Sequence, residues 1–239
     1  MKYKQLKYSD LIKELKGLSD PKKADDYKWF FKTGPGEYGY GDKFLGIRVP
    51  VLKKVAKRFK HLSFSGIEKL LKSDIHEHRF VALKILIFKY EDSGESGKDG
   101  VVAFYLKNTK RINNWDLVDT SAPYILGDYL LSKDKGVLYR LAISEILWER
   151  RIAIISTLAF IKKDNYKDTL KIAEILLQDE HDLIHKAVGW MLREVGKRSP
   201  ESEVGFLDRY HSVMPRTMLR YAIERFPEKQ RQKYLKKKR

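Results

Sequence analysis

The chain has 239 residues, 43% of them hydrophobic, which is enough to form a sizeable core in one large domain or two small ones. Lysine and arginine outnumber aspartate and glutamate by 49 to 32, and the net charge of +17 favours a polyanionic partner: DNA, RNA or an anionic membrane surface. Because the sequence has no cysteine, disulfides, cysteine-ligated zinc, iron–sulfur clusters and a thiol nucleophile are excluded.

No secretory or membrane-spanning segment is expected. The first ten residues contain no apolar stretch typical of a secretory signal, and no apolar run approaches the length of a transmembrane helix. We therefore expect a cytoplasmic protein, associated with the nucleoid if its partner is DNA. We also expect a monomer whose polyanionic partner is a nucleic acid rather than a membrane.

Helix signals run through the whole sequence, whereas alternating β-branched runs are nearly absent. A capping residue precedes a proline at Asp20-Pro21 and at Ser199-Pro200, which is typical of a helix N-terminus. The predicted helices lie, in chain order, near residues 8–18, 21–32, 50–60, 64–72, 76–91, 98–110, 114–121, 124–131, 136–146, 148–163, 166–178, 182–197, 201–211, 215–225 and 228–236.

Three local patterns predict how helices begin or connect. Asp74 followed by Glu77 is typical of a capping box at the start of the helix 76–91. The glycine-rich segment 34–42 is predicted to be a connector with positive φ angles, because it lacks the Gly-Lys-Ser/Thr ending of a phosphate loop. The segment 92–100 predicts a flexible linker.

A weak internal period indicates a helical-repeat solenoid. The segments 80–90 and 152–161 are apolar on most of their circumference, as expected for inner helices of stacked pairs. Segments resembling the start of the first of these recur at spacings of 72 and 35 residues, which are steps of about one or two repeats.

Equivalent positions in a solenoid line one surface, and inner helices line the concave face. A cation or an indole stands at each equivalent position, and the same helix face one turn further adds a carboxylate and a second indole. Cations that neutralise phosphates and flat rings that contact nucleotides suit a nucleic acid. The residues predicted on this surface are Arg79, Trp115, Asp119, Arg151, Lys186 and Trp190.

Structural explanations compete with each functional one. Trp115 and Trp190 could be core residues, since tryptophan is usually mostly buried. Arg151 could form an unimportant surface pair with Glu149 or Glu145.

Asp119 could be an ordinary surface carboxylate or a local cap. However, Pro123 cannot donate to the carbonyl of residue 119 and disfavours helical geometry at Ala122. Asp119 is therefore expected near a helix break.

We expect no metal site. The segment His76-Glu77-His78 lacks the HExxH spacing that places two imidazoles on one helix face. His181 and His185 have no third ligand nearby in the sequence and are interpreted as the polar start of a helix. No nucleophile–base pairing stands out.

Four stretches resemble the DNA alkylation repair family of AlkD-like HEAT-repeat DNA glycosylases, in the order and spacing of that family. They are Gly41–Ile47 (GDKFLGI), Asn114–Asp119 (NWDLVD), Trp148–Ala153 (WERRIA) and Lys186–Glu194 (KAVGWMLRE). The resemblance covers nearly the whole chain. It implies excision of cationic alkylpurines, such as 3-methyladenine and 7-methylguanine, from double-stranded DNA. We expect no cofactor and no metal.

The resemblance also implies roles for individual residues. The catalytic aspartate of the family falls on Asp119, and its two active-site tryptophans fall on Trp115 and Trp190. Its phosphate-binding arginine falls on Arg151, with Arg150 as the alternative. The family's N-terminal aromatic residue has three candidates here: Tyr27, Phe30 and Phe31.

Period and resemblance together predict an all-α fold: a right-handed superhelical solenoid of HEAT-like helical repeats with a concave basic face. Residues 1–239 are expected to form a single domain, less regular over 1–72, with repeats over about 73–225 and a basic tail over 228–239.

The implied chemistry agrees with these residue types. Alkylation at N3 or N7 makes the purine a cationic leaving group, so one carboxylate suffices to stabilise the positive deoxyribose and orient water. Indole faces attract cationic rings. Two alternatives explain the period: a noncatalytic repeat module that binds nucleic acid, in which Asp119 has no role, and a protein-binding solenoid whose charge is incidental.

Overall fold

The computed structural model describes residues 6–236, so the last three residues of the predicted basic tail lie outside the described part. The α-helices of the described residues are α1 (Tyr8–Gly17), α2 (Pro21–Phe30), α3 (Val49–Arg58), α4 (Phe64–Leu71), α5 (His76–Glu91), α6 (Glu95–Lys107), α7 (Trp115–Asp119), α8 (Gly136–Ala142), α9 (Leu147–Ser156), α10 (Leu158–Ile161), α11 (Lys167–Ile175), α12 (Asp182–Gly196), α13 (Pro200–Tyr210), α14 (Arg216–Ala222) and α15 (Glu228–Leu235).

The predicted all-α class is confirmed. Between residues 6 and 236 the backbone forms no strand, and only one isolated bridge joins Lys43 to Ile75. The predicted caps are also confirmed, because the side chains of Asp20 and Ser199 accept hydrogen bonds from main-chain N–H groups three residues later. In the described part of the chain, no helix has the length and apolar character needed to cross a membrane.

The chain divides into two compact units, residues 1–117 and 118–239, and the single domain stays a prediction. In the N-terminal unit α5 packs against α3, α4 and α6. Nearly every apolar side chain of the segment 80–90 is buried there, as predicted from its uniformly apolar sequence.

In the C-terminal unit α12 is the central helix and packs against α9, α11, α13 and α14. The predicted helix 148–163 is divided into α9 and α10 at Thr157. Thr157 is fully buried, and its hydroxyl donates to the carbonyl of Ile154 at 2.7 Å, a local bond that competes with the helical pattern.

Two connections differ from their predictions. The predicted linker 92–100 is helical from Glu95 onward, with Gly94 at the N-cap of α6. The predicted capping box before α5 is wrong, because the N-cap is Ile75 and no side chain caps it. The Glu77 carboxylate accepts instead from the main-chain N–H groups of residues 45–47.

The chain near Pro123 also differs from the prediction. α7 ends at Asp119, as expected for a residue near a break. Ala122 nevertheless keeps helical angles, with φ −56° and ψ −45°, because residues 123–127 form one π-helical turn. Its bond from the Gly127 N–H to the Ala122 carbonyl, at 2.9 Å, does not need an N–H from the proline.

A hydrogen-bonded turn that occurs three times shows which residues occupy equivalent positions in the repeats. The Ser73 hydroxyl accepts from the N–H of Ile75 at 3.1 Å, and the Ser73 carbonyl accepts from the Arg79 guanidinium at 2.8 Å. The carbonyl is thus held by a side chain six residues later. The same pair of bonds recurs at Ser144, whose carbonyl accepts from Arg150, and at Asp179, whose carbonyl is bound by His185.

The turn shifts the predicted register by one residue. The sequence aligns Arg79 with Arg151 and Lys186, whereas the shared hydrogen bonds align Arg79 with Arg150 and His185. The spacings become 71 and 35 residues. The turn is therefore closed by Arg79, Arg150 and His185 in the three copies. The position after each of them is available for another role.

α12 and α14 approach each other closely at Gly189. A methyl group on Gly189 would lie 2.5 Å from the Met218 carbonyl oxygen and 2.5 Å from the Tyr221 Cβ. Gly205 in α13 provides the contrast, because a methyl group there would meet no atom within 4 Å.

We predict that Gly189→Ala lowers the free energy of unfolding by about 1–3 kcal/mol, through overpacking. The matched control Gly205→Ala should raise it by up to about 1 kcal/mol, because alanine favours a helix. Urea unfolding measures both. Equal stability of the two variants would contradict the close packing of α12 and α14.

Candidate active site

Two of the predicted site residues stand at the ends of one short helix. Trp115 is the first residue of α7 and Asp119 is the last, consistent with the predicted helix 114–121. The boundary between the two compact units falls within this helix, after Leu117. Trp115 belongs to the N-terminal unit and Asp119 to the C-terminal unit.

Asp119 and Arg151 form a two-pronged ion pair. Arg151 Nε donates to Asp119 Oδ1 at 2.9 Å, and Arg151 Nη2 donates to Asp119 Oδ2 at 2.8 Å. The remaining terminal nitrogen of the guanidinium, Nη1, donates to the carbonyl of Leu183 in α12. One side chain of α9 thereby fixes both oxygens of the carboxylate and ties α7 to the start of α12.

This pair replaces the surface pairing considered for Arg151. The partner of Arg151 is Asp119, whereas the Glu149 carboxylate accepts a hydrogen bond from the Ser144 hydroxyl at 2.6 Å. The Arg151 side chain is 6% exposed and that of Asp119 is 14% exposed. The carboxylate is therefore rigidly held, yet part of its surface reaches solvent.

Trp190 lies on α12, about two turns into the central helix of the C-terminal unit. Its indole N–H donates to Glu194 Oε1 at 3.0 Å, and Glu194 also pairs with Lys197 at 2.6 Å. The tryptophan is only partly buried. A partly exposed ring held through its N–H is oriented for contact rather than sealed in the core.

Trp115 lies against aromatic rings of the N-terminal unit. Its indole stacks on Phe31 with centroids 5.6 Å apart and planes 28° apart, and it meets the edge of Phe30 at 5.9 Å. The indole N–H donates to the Tyr38 hydroxyl at 3.2 Å. The glycine-rich loop, which contributes Tyr38, is thus more than a connector.

The three candidates for the N-terminal aromatic residue occupy different positions. Phe31 is buried beneath Trp115, Phe30 is 53% exposed beside it, and Tyr27 packs edge-on against Phe31. Phe30 is the one that offers a ring to solvent next to Trp115. Trp29, which the sequence did not single out, is 84% exposed on the same helix.

A buried set of charges lies behind these rings. His76 Nε2 is 2.8 Å from Asp116 Oδ2 and its Nδ1 is 3.4 Å from Asp42 Oδ2. Asp42 Oδ1 also accepts from Arg79 at 2.6 Å. Positive φ angles at Gly36 and Gly41 let the loop turn so that Asp42 reaches this position.

The carboxylates determine the protonation of His76. Burial alone would lower the pKa of His76, but the charges and hydrogen bonds of Asp116 and Asp42 outweigh burial and raise the pKa to about 9. Burial would likewise raise the pKa of Asp42, but His76 and Arg79 lower it.

The neighbouring histidine of α5 behaves in the opposite way. Burial, assisted by the positive charge of Arg79, lowers the pKa of His78 to about 4. His78 Nδ1 faces the Ser73 hydroxyl at 2.9 Å. His76, Glu77 and His78 are therefore directed at three different partners, and no cluster of metal-ligand type occurs among residues 6–236.

The four predicted DNA-binding cations differ in their burial and in the groups they contact. Arg79 is 3% exposed and is held by Asp42 and the Ser73 carbonyl, which does not support a phosphate contact. Arg150 is held in the equivalent way by the Ser144 carbonyl, with Asp179 at 2.6 Å. Lys186 lies beside Asp182 with a side chain that is 39% exposed, and it is the most accessible of the four. Arg151 forms the ion pair with Asp119.

The chain belongs to the DNA alkylation repair enzyme family, because the profile of that family matches residues 11–226. The resemblance inferred from the sequence motifs is thus confirmed. No curated protein matches the chain.

Two solved structures show that the fold is shared. One is described as a predicted DNA alkylation repair enzyme from Enterococcus faecalis, with a TM-score of 0.71 and 18% identity, over 88% of this chain and 97% of that chain. The other is AlkD2 from Streptococcus mutans, with a TM-score of 0.55 and 15% identity, over 92% of this chain and 97% of that chain.

We predict that Arg151→Gln lowers the free energy of unfolding by about 3 kcal/mol or more, because it leaves a largely buried carboxylate without its partner. Arg198→Gln is the matched control: its pair with Asp164, at 2.9 Å, is exposed on both sides and should contribute little. Thermal and urea unfolding measure both. A similar loss in the two variants would contradict the importance of the buried pair.

Proposed function

We propose that this protein is a DNA glycosylase that excises cationic N3- and N7-alkylated purines, such as 3-methyladenine and 7-methylguanine, from double-stranded DNA in base excision repair. The family is one of DNA alkylation repair enzymes, and the chain carries that family's profile over nearly its whole length. The proposal adds the substrate class, the reaction and the residues.

The observation that carries the proposal is the paired carboxylate of Asp119. Hydrolysis of an alkylpurine nucleotide needs little help for the leaving group, because the base is already cationic. The barrier lies in the positive charge that develops on the deoxyribose. A carboxylate whose two oxygens are fixed before substrate arrives stabilises that charge without reorganising, and this is the role proposed for Asp119.

Arg151 also removes an obstacle to DNA binding. An isolated carboxylate would repel the phosphates of the duplex. The Asp119–Arg151 pair carries no net charge, so its approach to the backbone is not penalised, while the nearest oxygen still acts on a cation at short range. In this proposal Trp115 and Trp190 contact the cationic base and sugar with their indole faces, and no cofactor or metal takes part.

For the phosphate contacts we propose Lys186 first, because its charge is the most accessible of those predicted. In this proposal Arg151 contributes to activity mainly by holding Asp119. Arg150 and Arg79 contribute to the scaffold by closing their turns. Double-stranded DNA containing alkylated bases remains the proposed partner of the chain, which is taken to act as a monomer at the nucleoid.

We expect Asp119→Asn to abolish most release of 7-methylguanine from methylated duplex DNA while keeping affinity for the duplex. The amide keeps the shape but loses the charge that stabilises the sugar cation, and loss of about a hundredfold or more is typical for such a group. Released bases are identified chromatographically under single-turnover conditions.

The matched control is Asp164→Asn. Asp164 also pairs with an arginine of the C-terminal unit, and its φ angle of 55° is one that asparagine tolerates well. This variant should release base at the wild-type rate. Release at the wild-type rate by Asp119→Asn would show that the catalytic assignment is wrong.

A noncatalytic DNA-binding module is the second candidate, and one observation favours it: the ion pair gives Asp119 a structural partner without any chemistry. In that case the wild-type protein releases no base, and Asp119→Asn binds duplex more tightly because Arg151 is freed for phosphates. The base-release assay on the wild type therefore separates the two candidates.

Salt dependence distinguishes both of these from a protein-binding helical repeat. We predict that affinity for an undamaged duplex falls by about tenfold or more between 50 and 200 mM salt, because phosphate contacts release counterions. Fluorescence anisotropy of a labelled duplex measures this. An affinity that hardly changes would indicate that the charge of the chain is incidental.

A further inference from the structure

We propose that His76 is a positioning residue for Trp115: as an imidazolium it bridges the carboxylates of Asp42 and Asp116, and its ring supports, through Phe31, the surface on which the indole lies. The link to excision rests on the proposed function, in which Trp115 contacts the substrate. The positioning itself concerns the N-terminal unit alone.

The rings form a continuous chain of contacts from His76 to Trp115, which we call the ring stack. The imidazole lies 4.7 Å from the centroid of Phe31, and Phe31 lies 5.6 Å from the centroid of Trp115. Phe44 covers the imidazole from another side, with centroids 5.0 Å apart. His76 is 3% exposed, so its ring is a fixed support within this layer.

The polar contacts reach Trp115 by two further routes. Asp116, which faces His76 Nε2 at 2.8 Å, is the residue that follows Trp115 in α7. Asp42, which faces His76 Nδ1, ends the loop whose Tyr38 accepts the indole N–H. His76 therefore connects the backbone that carries the indole to the loop that orients it.

Only the protonated ring satisfies both partners. A neutral imidazole has one N–H donor, so one of the two carboxylates would face a nitrogen lone pair, whereas the imidazolium donates to both. Arg79 on the same helix supplies the second positive charge beside Asp42. Loss of the His76 proton therefore removes one of the hydrogen bonds that these buried carboxylates accept, which is costly in a buried site.

One other titrating group must be separated from His76 in any pH experiment. Lys84, further along α5, also interacts with Asp116, and burial lowers its pKa to about 8. The carboxylates raise the pKa of His76 to about 9. The experiment therefore observes the imidazole itself.

The first experiment uses the wild-type protein labelled with ¹⁵N-histidine. Both ring nitrogens of His76 should remain protonated through pH 8, and Trp115 fluorescence should change with the same midpoint as the imidazole titrates near pH 9. The fluorescence change should be missing in Trp115→Phe. A neutral His76 at pH 7, or a Trp115 signal that does not follow the imidazole, overturns the proposal.

The second experiment compares His76→Gln with His78→Gln. Both histidines are buried in α5, two residues apart, but only His76 touches the ring stack. His76→Gln should remove the alkaline fluorescence change and lower the single-turnover rate of 7-methylguanine release roughly tenfold to a hundredfold, with duplex affinity unchanged. His78→Gln should keep the wild-type profile in each measurement.

Equal effects of the two substitutions would indicate general loosening of α5 and overturn the proposal. If His76→Gln does not fold, the labelled wild-type titration decides alone. If the wild type excises no base, the proposed function fails, whereas the nitrogen and fluorescence titrations still test whether His76 positions Trp115.

Discussion

A single guanidinium determines the arrangement of the candidate catalytic carboxylate. Arg151 takes Asp119 out of most of the solvent, fixes both of its oxygens and uses its remaining terminal nitrogen on the Leu183 carbonyl. Burying two charges is costly unless they are paired and hydrogen-bonded, and each nitrogen of this guanidinium makes a hydrogen bond. The end of α7, the middle of α9 and the start of α12 are consequently linked through one side chain, and a rigid carboxylate results.

The N-terminal unit uses the same physical solution around its tryptophan. There, Asp42 and Asp116 are matched by Arg79 and the imidazolium of His76. The rings of Phe31 and Phe44 exclude water from this set, which strengthens each charge interaction. In both units a buried charged group holds a more exposed one: Arg151 holds Asp119, and the His76 cluster lies behind Trp115.

Much of the fold could be predicted from local sequence patterns, whereas the partners of the charged groups could not be predicted from the sequence. The apolar segment 80–90 and the cap at Asp20 depend on neighbours a few residues away, so pattern analysis predicted them correctly. The pairing of Asp119 with Arg151 spans 32 residues, and that of His76 with Asp116 spans 40. Glu149, the partner considered for Arg151, was chosen for sequence proximity, which does not decide contacts made between helices.

The one-residue shift of the repeat register explains why cations at similar sequence positions make different contacts. Arg79 and Arg150 occupy the position whose side chain reaches back six residues to close its own turn, so their charges are used within the scaffold. The side chain at the next position points elsewhere: Arg151 holds Asp119, and Lys186 is partly exposed beside Asp182. In a repeat, a position that closes the turn is constrained in every copy by the same local geometry. The position after it carries no such constraint, and a repeated scaffold can therefore acquire a site that differs from one copy to the next.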